Sequence, residues 1–381
     1  MKIALIILAA GKGTRMNSEI PKVLHPLAAV PLLVHAMRAG ESLAPAHTVV
    51  VAGQGFAAVR EAALNYDPTA TVVKQAEQLG TGHAAAQAKD ALADFDGTAI
   101  VMFGDTPFVS AETLQRMTEA QTQHALVVLG FEPEDPARYG RLVMQGDTLE
   151  SIVEYKDASD AERRIGFCNS GVMACDAALL FELLGDLDND NASGEYYLTD
   201  LVALVRNRGL SATAISCDSH ETLGINSRQE LAAAERAFQT HARAQAFEDG
   251  VTLPAPETVH FAFDTVIGRD AVVEPNVVFG PGVTVESGAT VRSFSHLEGC
   301  HIARGSVVGP FARLRPGAEL NENTRVGNFV EIKNASIGAG TKVSHLSYIG
   351  DATLGEQTNV GAGTITCNYD GVMKHHTHIG A

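Results

Sequence analysis

The sequence predicts an α/β chain of two domains: a mostly parallel sheet covered by helices, then a parallel β-helix. Three observations lead there. Residues 1–226 alternate short apolar runs with helix-like stretches, the pattern of strands and helices stacked in layers. From about Thr265 onward, aliphatic residues recur at every sixth position, the period of a β-helix. The length of 381 residues, with 45% apolar content, exceeds what one core ordinarily holds.

The elements follow in order. Apolar runs at 3–8, 48–52, 99–103 and 126–129 have strand length, and the patterns at 32–38 and 81–92 suit helices. In such sheets ligands bind beyond the carboxyl ends of the strands. Residues 227–249 are rich in Ala, Glu, Gln and Arg, all good helix formers, and end at Gly250. Pro254 and Pro256 then bar further helix. The division expected is 1–226, a connecting helix at 227–250, and a repeat domain at 251–381.

In the repeat the aliphatic positions are Ile267, Val273, Phe279, Val285, Val291 and Leu297. The register slips by one to Ile302 and resumes through Val308, Leu314, Leu320, Val326 and Ile332. It slips again to Ile337, Val343 and Ile349, and once more to Leu354 and Val360. Each six-residue stretch makes one flat side, and three sides close a coil. The next position is often Gly, as at Gly309, Gly327 and Gly361, and is expected to permit the tight corner. The period leaves the handedness of the coil open.

A formal net charge of −17 argues against non-specific binding of nucleic acid or anionic membrane. Phosphate ligands would need a local cluster of cations and backbone N–H groups. The five cysteines are scattered, with no C-x-x-C pair, as expected of reduced thiols in a cytoplasmic protein. The apolar N-terminal run opens into Gly11-Lys12-Gly13-Thr14-Arg15, so it suits a strand and not a secretion signal. No stretch is long and apolar enough to span a bilayer.

The first candidate site begins at Ala9-Ala10-Gly11-Lys12-Gly13-Thr14-Arg15-Met16, directly after the first strand. Two glycines let the backbone turn so that its N–H groups face an anion, and Lys12 and Arg15 add charge. The spacing is neither that of a Walker loop nor G-x-G-x-x-G. A short spacer then leads to Pro21-Lys22. Taken together, residues 8–22 resemble the signature of nucleotide-sugar pyrophosphorylases. Gln75-Ala76-Glu77-Gln78-Leu79-Gly80-Thr81-Gly82-His83 is similar to that family's pyrimidine-reading segment, and Phe103-Gly104-Asp105 to its metal-binding acid. Tyr139-Gly140-Arg141, Ile152-Val153-Glu154-Tyr155-Lys156-Asp157, Asn169-Ser170-Gly171, Gly194-Glu195-Tyr196-Tyr197-Leu198-Thr199-Asp200 and Gly224-Ile225-Asn226-Ser227 follow in the family's order. Over essentially its whole length the chain resembles the bifunctional bacterial N-acetylglucosamine-1-phosphate uridylyltransferase/glucosamine-1-phosphate acetyltransferases. Ser170 stands where Thr is usual there and keeps the hydroxyl.

The resemblance implies a Rossmann-like nucleotidyltransferase domain joined to a left-handed parallel β-helix of hexapeptide repeats. It implies Mg²⁺-dependent transfer of UMP from UTP to N-acetylglucosamine-1-phosphate, giving UDP-N-acetylglucosamine for cell-wall and lipopolysaccharide precursors. Asp105 and Asn226 would hold the metal. Leu8, Ala9, Ala10 and Gly11, with Lys22 and Arg15, would face the phosphates, and Lys22 and Arg15 would count most as charge develops on pyrophosphate. Gln75, Gly80 and Thr81 would read uracil, next to Phe103 and Gly104. Gly140, Glu154 and Asn169 would hold the amino sugar. Two alternatives stay open: a thymidylyl- or adenylyltransferase acting on another sugar phosphate, and a non-catalytic regulatory or scaffold relative.

The β-helix carries polar residues beyond what a scaffold needs. Arg315 and Lys333 lie 18 residues apart, one full coil, and so stack on one face about 5 Å apart. Two cations so close are costly unless an anion sits between them. The resemblance places glucosamine-1-phosphate at Arg315, Lys333, Tyr348 and Asn359, and acetyl-CoA at Ala362, Asn368 and Tyr369. It makes His345 the general base for attack of the sugar amine on the thioester. It also implies a homotrimer, with acetyl-transfer sites at subunit boundaries. His375, His376 and His378 lack a carboxylate or cysteine to complete a metal site. The sequence stops in mid-repeat at Ile379-Gly380-Ala381. From this the uridylyl site is expected to be complete and acetyl transfer impaired.

Overall fold

The computed structural model describes residues 2–136, 139–191 and 193–381. The chain forms two compact units, one of residues 1–26 and 31–232, the other of 27–30 and 233–381.

The first unit is built on a nine-stranded sheet. Its strands are β1 (Ile3–Ala9), β2 (His47–Ala52), β3 (Thr71–Lys74), β4 (Thr98–Phe103), β5 (Leu126–Phe131), β6 (Arg141–Gln145), β7 (Thr148–Val153), β8 (Cys168–Asp176) and β9 (Ala212–Cys217). The order is β9-β5-β8-β4-β1-β2-β3, with the β6–β7 hairpin attached to β8. β1 pairs in parallel with β2 and β4, whereas β8 runs antiparallel to β4 and β5. β1 is apolar at every position because both of its faces are covered. Ile3, Leu5, Ile7 and Ala9 enter one core, and Ala4, Ile6 and Leu8 enter the other.

Helices α1 (Leu32–Ala39), α2 (Phe56–Tyr66), α3 (Thr81–Ala86), α4 (Ala111–Gln121), α5 (Ala177–Gly185) and α6 (Leu201–Asn207) accompany the sheet. α4 and α5 start at side-chain caps: Ser110 Oγ accepts from Thr113 N, and Asp176 accepts from Leu179 N. The helix expected at 81–92 ends earlier, at Ala86. From Gln87 onward the backbone donates to the third residue back (Gln87 N to Ala84 O, Ala88 N to Ala85 O, Lys89 N to Ala86 O), so the run tightens into a short 3₁₀ turn at Asp90–Leu92. α7 (Arg228–Glu248) follows the sheet.

In the second unit the aliphatic residues form three inward columns. One runs Val285, Ile302, Leu320, Ile337 and Leu354; the next Val273, Val291, Val308, Val326, Val343 and Val360; the third Phe279, Leu297, Leu314, Ile332 and Ile349. All are buried, and Ile267 packs against them half-exposed. Gln239 on α7 acts as a stand-in peptide: its amide donates to Phe261 O at 2.7 Å and accepts from Phe261 N at 2.9 Å.

The corner glycines need correcting. Of the glycines that follow an aliphatic, only Gly309 has positive φ. The left-handed corners lie three residues after the inward aliphatic, as at Asn276, Phe294 and Phe311, or two after it where the repeat slips, as at Gly299, Asn334 and Asp351. Glycine is needed after the aliphatic for a different reason, the closeness of the next coil. A Cβ on Gly327 would stand 2.0 Å from Ser344 O. At the second and third slips strand pairing resumes directly after the single left-handed residue, Asn334 or Asp351, giving the seven-residue strands Glu331–Ile337 and Tyr348–Leu354.

Candidate active site

β1 and β4 are neighbours whose onward connections go to opposite sides of the sheet, so a crevice opens beyond their carboxyl ends. Two cavities of about 450 Å³ each occupy it and share Thr81, Phe103 and Glu195 in their walls. The first is lined by the backbone of residues 8–11, by Lys12, Lys22, Gln75 and Gln78, and by Gly80 and Asp105. The second is lined by Glu154, Lys156, Asp157, Asn169, Tyr197 and Thr199, among others.

The glycine loop is held by its neighbours. Gln78 Nε2 donates to Ala10 O at 3.0 Å, and Gly104 N donates to Leu8 O at 3.0 Å. Gly13 turns with φ 59°, and a Cβ there would stand 2.7 Å from Lys22 Cβ. That approach aims Lys22, on a single 3₁₀ turn, into the crevice. Its ammonium forms an ion pair with Asp105 Oδ2 and donates to Asn226 Oδ1 at 2.9 Å. Lys22 and Asp105 are only 12% and 16% exposed. The Asn226 loop is fixed to the Asp105 loop by Ile225 N donating to Asp105 O at 3.0 Å. Residues 83 and 204 positions apart from Lys22 in sequence thus meet at one point.

In the second cavity Asn169 N donates to Gly140 O at 2.9 Å, and a Cβ on Gly140 would lie 3.5 Å from Glu154 Oε1. Glu154 and Asn169 therefore stand together in the wall, with Gly140 packed behind them. Burial, and then the charges of Asp157 and Asp200, raise the Glu154 carboxyl above the ordinary range. Arg15 stands exposed on the turn Thr14–Met16 and does not line either cavity. Sequence reasoning gave no role to Gln78, His83 or Tyr197. The segments carrying them were the available signal, but their contacts are long-range or cross-element.

The β-helix residues fall into two groups. Arg315 N donates to Ile332 O at 2.8 Å, which sets Arg315 and Lys333 in adjacent coils on one face. The expected like-charge strain is relieved, since Arg315 Nη1 pairs with Glu331 Oε1 at 2.8 Å. Tyr348 pairs in register with Glu331, and its hydroxyl meets Asn368 Nδ2 at 3.4 Å. Tyr369 is exposed close by in sequence. His345 ends a strand on the preceding face, with its Nδ1 3.1 Å from Asn328 Oδ1, and Asn359 pairs with Lys342 on that same face. Ala362 precedes Gly363, whose N donates to His345 O. No hydrogen bond or ion pair among the described residues joins this group to Arg315, Lys333 and Tyr348. The five cysteines carry no disulfide, and among the described residues no helix is long and apolar enough to cross a membrane.

Residues 5–168 match the MobA-like NTP transferase domain, and residues 264–299 match the bacterial transferase hexapeptide of six repeats. The chain is 71% identical over 380 residues to the bifunctional protein GlmU of Roseobacter denitrificans, covering 100% of this chain and 84% of that protein. It is 70% identical to that of Ruegeria sp. strain TM1040, covering 100% and 85%, and 62% identical to that of Jannaschia sp. strain CCS1, covering 100% and 84%. Among solved structures, a putative glucose-1-phosphate thymidylyltransferase from Bacillus anthracis matches with TM-score 0.52 at 20% identity, over 62% of this chain and 94% of that one. A UDP-glucose pyrophosphorylase matches with TM-score 0.51 at 19% identity, over 63% and 100%. At those identities the likeness shows the fold of the first unit alone. With its nucleotidyltransferase sheet, its left-handed β-helix of hexapeptide repeats and relatives of this similarity along its full length, the chain belongs to the family of the bifunctional protein GlmU.

Proposed function

We propose that the first unit transfers UMP from UTP to N-acetylglucosamine-1-phosphate and releases pyrophosphate. The observation that carries this reading is the meeting of Lys22, Asp105 and Asn226 at the mouth of a two-lobed crevice. The first lobe takes the nucleotide, with Gln75, Gly80 and Thr81 at the base and the loop of residues 8–11 at the phosphates. The second takes the sugar, against Gly140, Glu154 and Asn169.

The donor set suits Mg²⁺. A cation, the Lys22 ammonium, already stands between Asp105 Oδ2 and Asn226 Oδ1, and one carboxylate and one amide oxygen are the hard ligands that ion takes. Asp105 and Asn226 would hold it, and when bound it neutralises charge on the triphosphate. Everything else is done by the chain. A phosphate oxygen of the sugar phosphate attacks the α-phosphorus, the bond to the β-phosphate oxygen breaks, and pyrophosphate leaves. The nucleophile is already an anion, so no general base is required. Positioning and charge stabilisation supply the rate. Backbone N–H groups of the loop, together with Lys22 and, from the exposed turn, Arg15, stabilise the leaving group.

On the β-helix we assign N-acetylation of glucosamine-1-phosphate by acetyl-CoA. Arg315, Lys333, Tyr348 and Asn359 would bind the sugar phosphate, and Ala362, Asn368 and Tyr369 the acetyl-CoA. His345 would take the amine proton as the C–N bond forms and the thioester C–S bond breaks. The two groups lie on different faces within one chain, which supports a site shared between chains of a homotrimer. An exposed column supports the same assembly: Phe294, Phe311 and Phe329 are 55%, 46% and 56% exposed at positive φ, with ring centroids 5.0 and 5.3 Å apart. Bulky residues are rare in that conformation, and a stacked apolar column in water marks a contact surface. The proposed division is uridylyl transfer in 1–226, a connecting helix at 227–250 and acetyl transfer in 251–381. An acidic chain with free thiols suits the cytoplasm.

The test is pyrophosphate release from UTP, CTP, dTTP and ATP, each with N-acetylglucosamine-1-phosphate, glucosamine-1-phosphate and glucose-1-phosphate. UTP with N-acetylglucosamine-1-phosphate should be the best pair. A better rate with dTTP or ATP and glucose-1-phosphate would overturn the reading.

A further inference from the structure

Gln75 follows β3 and is 3% exposed, yet it lines the nucleotide lobe. A buried primary amide can present either its donor or its acceptor end to a ligand, and the two ends select opposite partners. Here the choice is made by its neighbours. Gln75 Nε2 lies 3.2 Å from Gly80 O and 3.0 Å from His83 Nδ1. A primary amide nitrogen carries two hydrogens, so both are committed. Oε1 is left with no donor among the described residues.

His83 sits on the first turn of α3. Its ring lies beside Tyr196, with centroids 6.3 Å apart. Gly80 O accepts from Gln75, so the amide nitrogen must point inward, and Nδ1 must then be an acceptor, with the ring proton on Nε2. Gln87 Nε2 gives one hydrogen to the His83 carbonyl at 3.0 Å, and its 3.3 Å approach to His83 Nε2 is longer than the 3.0 Å contact at Nδ1, so the Nδ1 contact sets the tautomer.

We propose that His83 is a specificity-determining positioning residue: it locks the Gln75 amide so that only a carbonyl oxygen faces the base, which selects a pyrimidine bearing N3–H. The inference rests on the reading of Gln75 as the base-reading residue. Uracil offers N3–H to Oε1. Cytosine offers a lone pair at N3, and two acceptors then face each other. A site whose polar atom is fixed in one sense discriminates far better than one whose amide can turn over to suit either base. His83 touches neither nucleotide nor sugar; it acts through Gln75.

The experiment measures kcat/KM for UTP and for CTP on the same preparation, so that their ratio is independent of the fraction folded. The two nucleotides share ribose and triphosphate and differ only in the base edge. His83→Leu keeps the bulk and removes the acceptor. His83→Asn restores an acceptor, because its Oδ1 is two bonds beyond Cβ, as Nδ1 is. Gln75→Leu removes the reader itself. The expected result is that His83→Leu lowers the UTP/CTP ratio about tenfold or more, and that His83→Asn returns it to within about threefold of the native value. If His83→Leu slows both nucleotides equally while Gln75→Leu collapses the ratio, His83 is structural and the inference falls, with the uracil reading intact. If Gln75→Leu leaves the ratio unchanged, the reading beneath it falls as well.

Discussion

Replacing Lys22 with Met keeps the apolar stem and removes the charge. The ammonium engages both Asp105 and Asn226, and the pair is 12% and 16% exposed. That places it between a surface ion pair, worth about 0–1 kcal/mol, and a fully buried one, whose disruption costs about 3–5 kcal/mol. A loss of about 1–3 kcal/mol of folding stability follows, because the mostly buried Asp105 carboxylate loses the cation that neutralises it. Catalysis should suffer more. A cation aimed at the developing pyrophosphate charge is worth a factor of about 10²–10³, so kcat/KM for UTP should fall by that amount. A second readout separates the two effects. The ammonium competes with a divalent ion for the same two oxygens. In Lys22→Met, Mg²⁺ without nucleotide should therefore raise the melting temperature more than it does in the native protein. At tenfold excess over its Kd the ion adds about 1.4 kcal/mol. Retention of kcat/KM to within about threefold, with equal Mg²⁺ shifts in both proteins, would refute the placement of Lys22 at the reacting phosphates.

Three further outcomes follow from the geometry. The Glu154 carboxyl is raised by burial and then by Asp157 and Asp200, so the folded state binds its proton more tightly than the unfolded state, and stability falls as pH rises from the ordinary carboxyl range through the raised value. Glu154→Gln, neutral at every pH, should therefore stabilise the chain at about pH 7.5 more than at about pH 4; equal melting shifts at both would contradict the burial argument. Phe311→Glu should shift sedimentation from trimer to monomer, and a native chain that sediments only as monomer would defeat the assembly itself. Gly327→Ala should lower stability by about 1–3 kcal/mol in urea unfolding, since its Cβ meets Ser344 backbone at 2.0 Å, whereas Gly361→Ala, with nothing within 4 Å, should be nearly neutral.

Much of this fold was legible because its signals are periodic and local. The aliphatic residues of the hexad all turned inward because a period of six on a coil of flat sides leaves one direction for apolar side chains. β1 read as a strand from its short apolar run, and the structure covers it on both faces. The glycine loop, Lys22, Asp105 and Asn226 were found through resemblance, and the structure brings the last three to one point. Other features were out of reach for physical reasons. The glycine after the aliphatic, at Gly327 and Gly338, marks crowding against the next coil, a tertiary contact, so sequence assigned those positions to the wrong job. The turn from α3 into a 3₁₀ spiral changes hydrogen-bond partners without changing hydrophobic period. Gln78 at Ala10 and Glu331 at Arg315 are pairings that no spacing rule encodes. Asn359 and His345 lie on the face before that of Arg315 and Lys333, a placement set by where the repeat slips. Arg15 belongs to the motif yet stands outside the cavity walls.

The central claim is that a carboxylate and an amide, brought together with one lysine beyond the ends of β1 and β4, hold a metal-bound triphosphate for attack by a sugar phosphate. It is tested most directly by Mg²⁺-dependent pyrophosphate release from UTP and N-acetylglucosamine-1-phosphate, compared between the native chain and Asp105→Ala. The predicted result is a fall of at least about 10³-fold in the variant. An Asp105→Ala protein that releases pyrophosphate at the native rate would contradict the account.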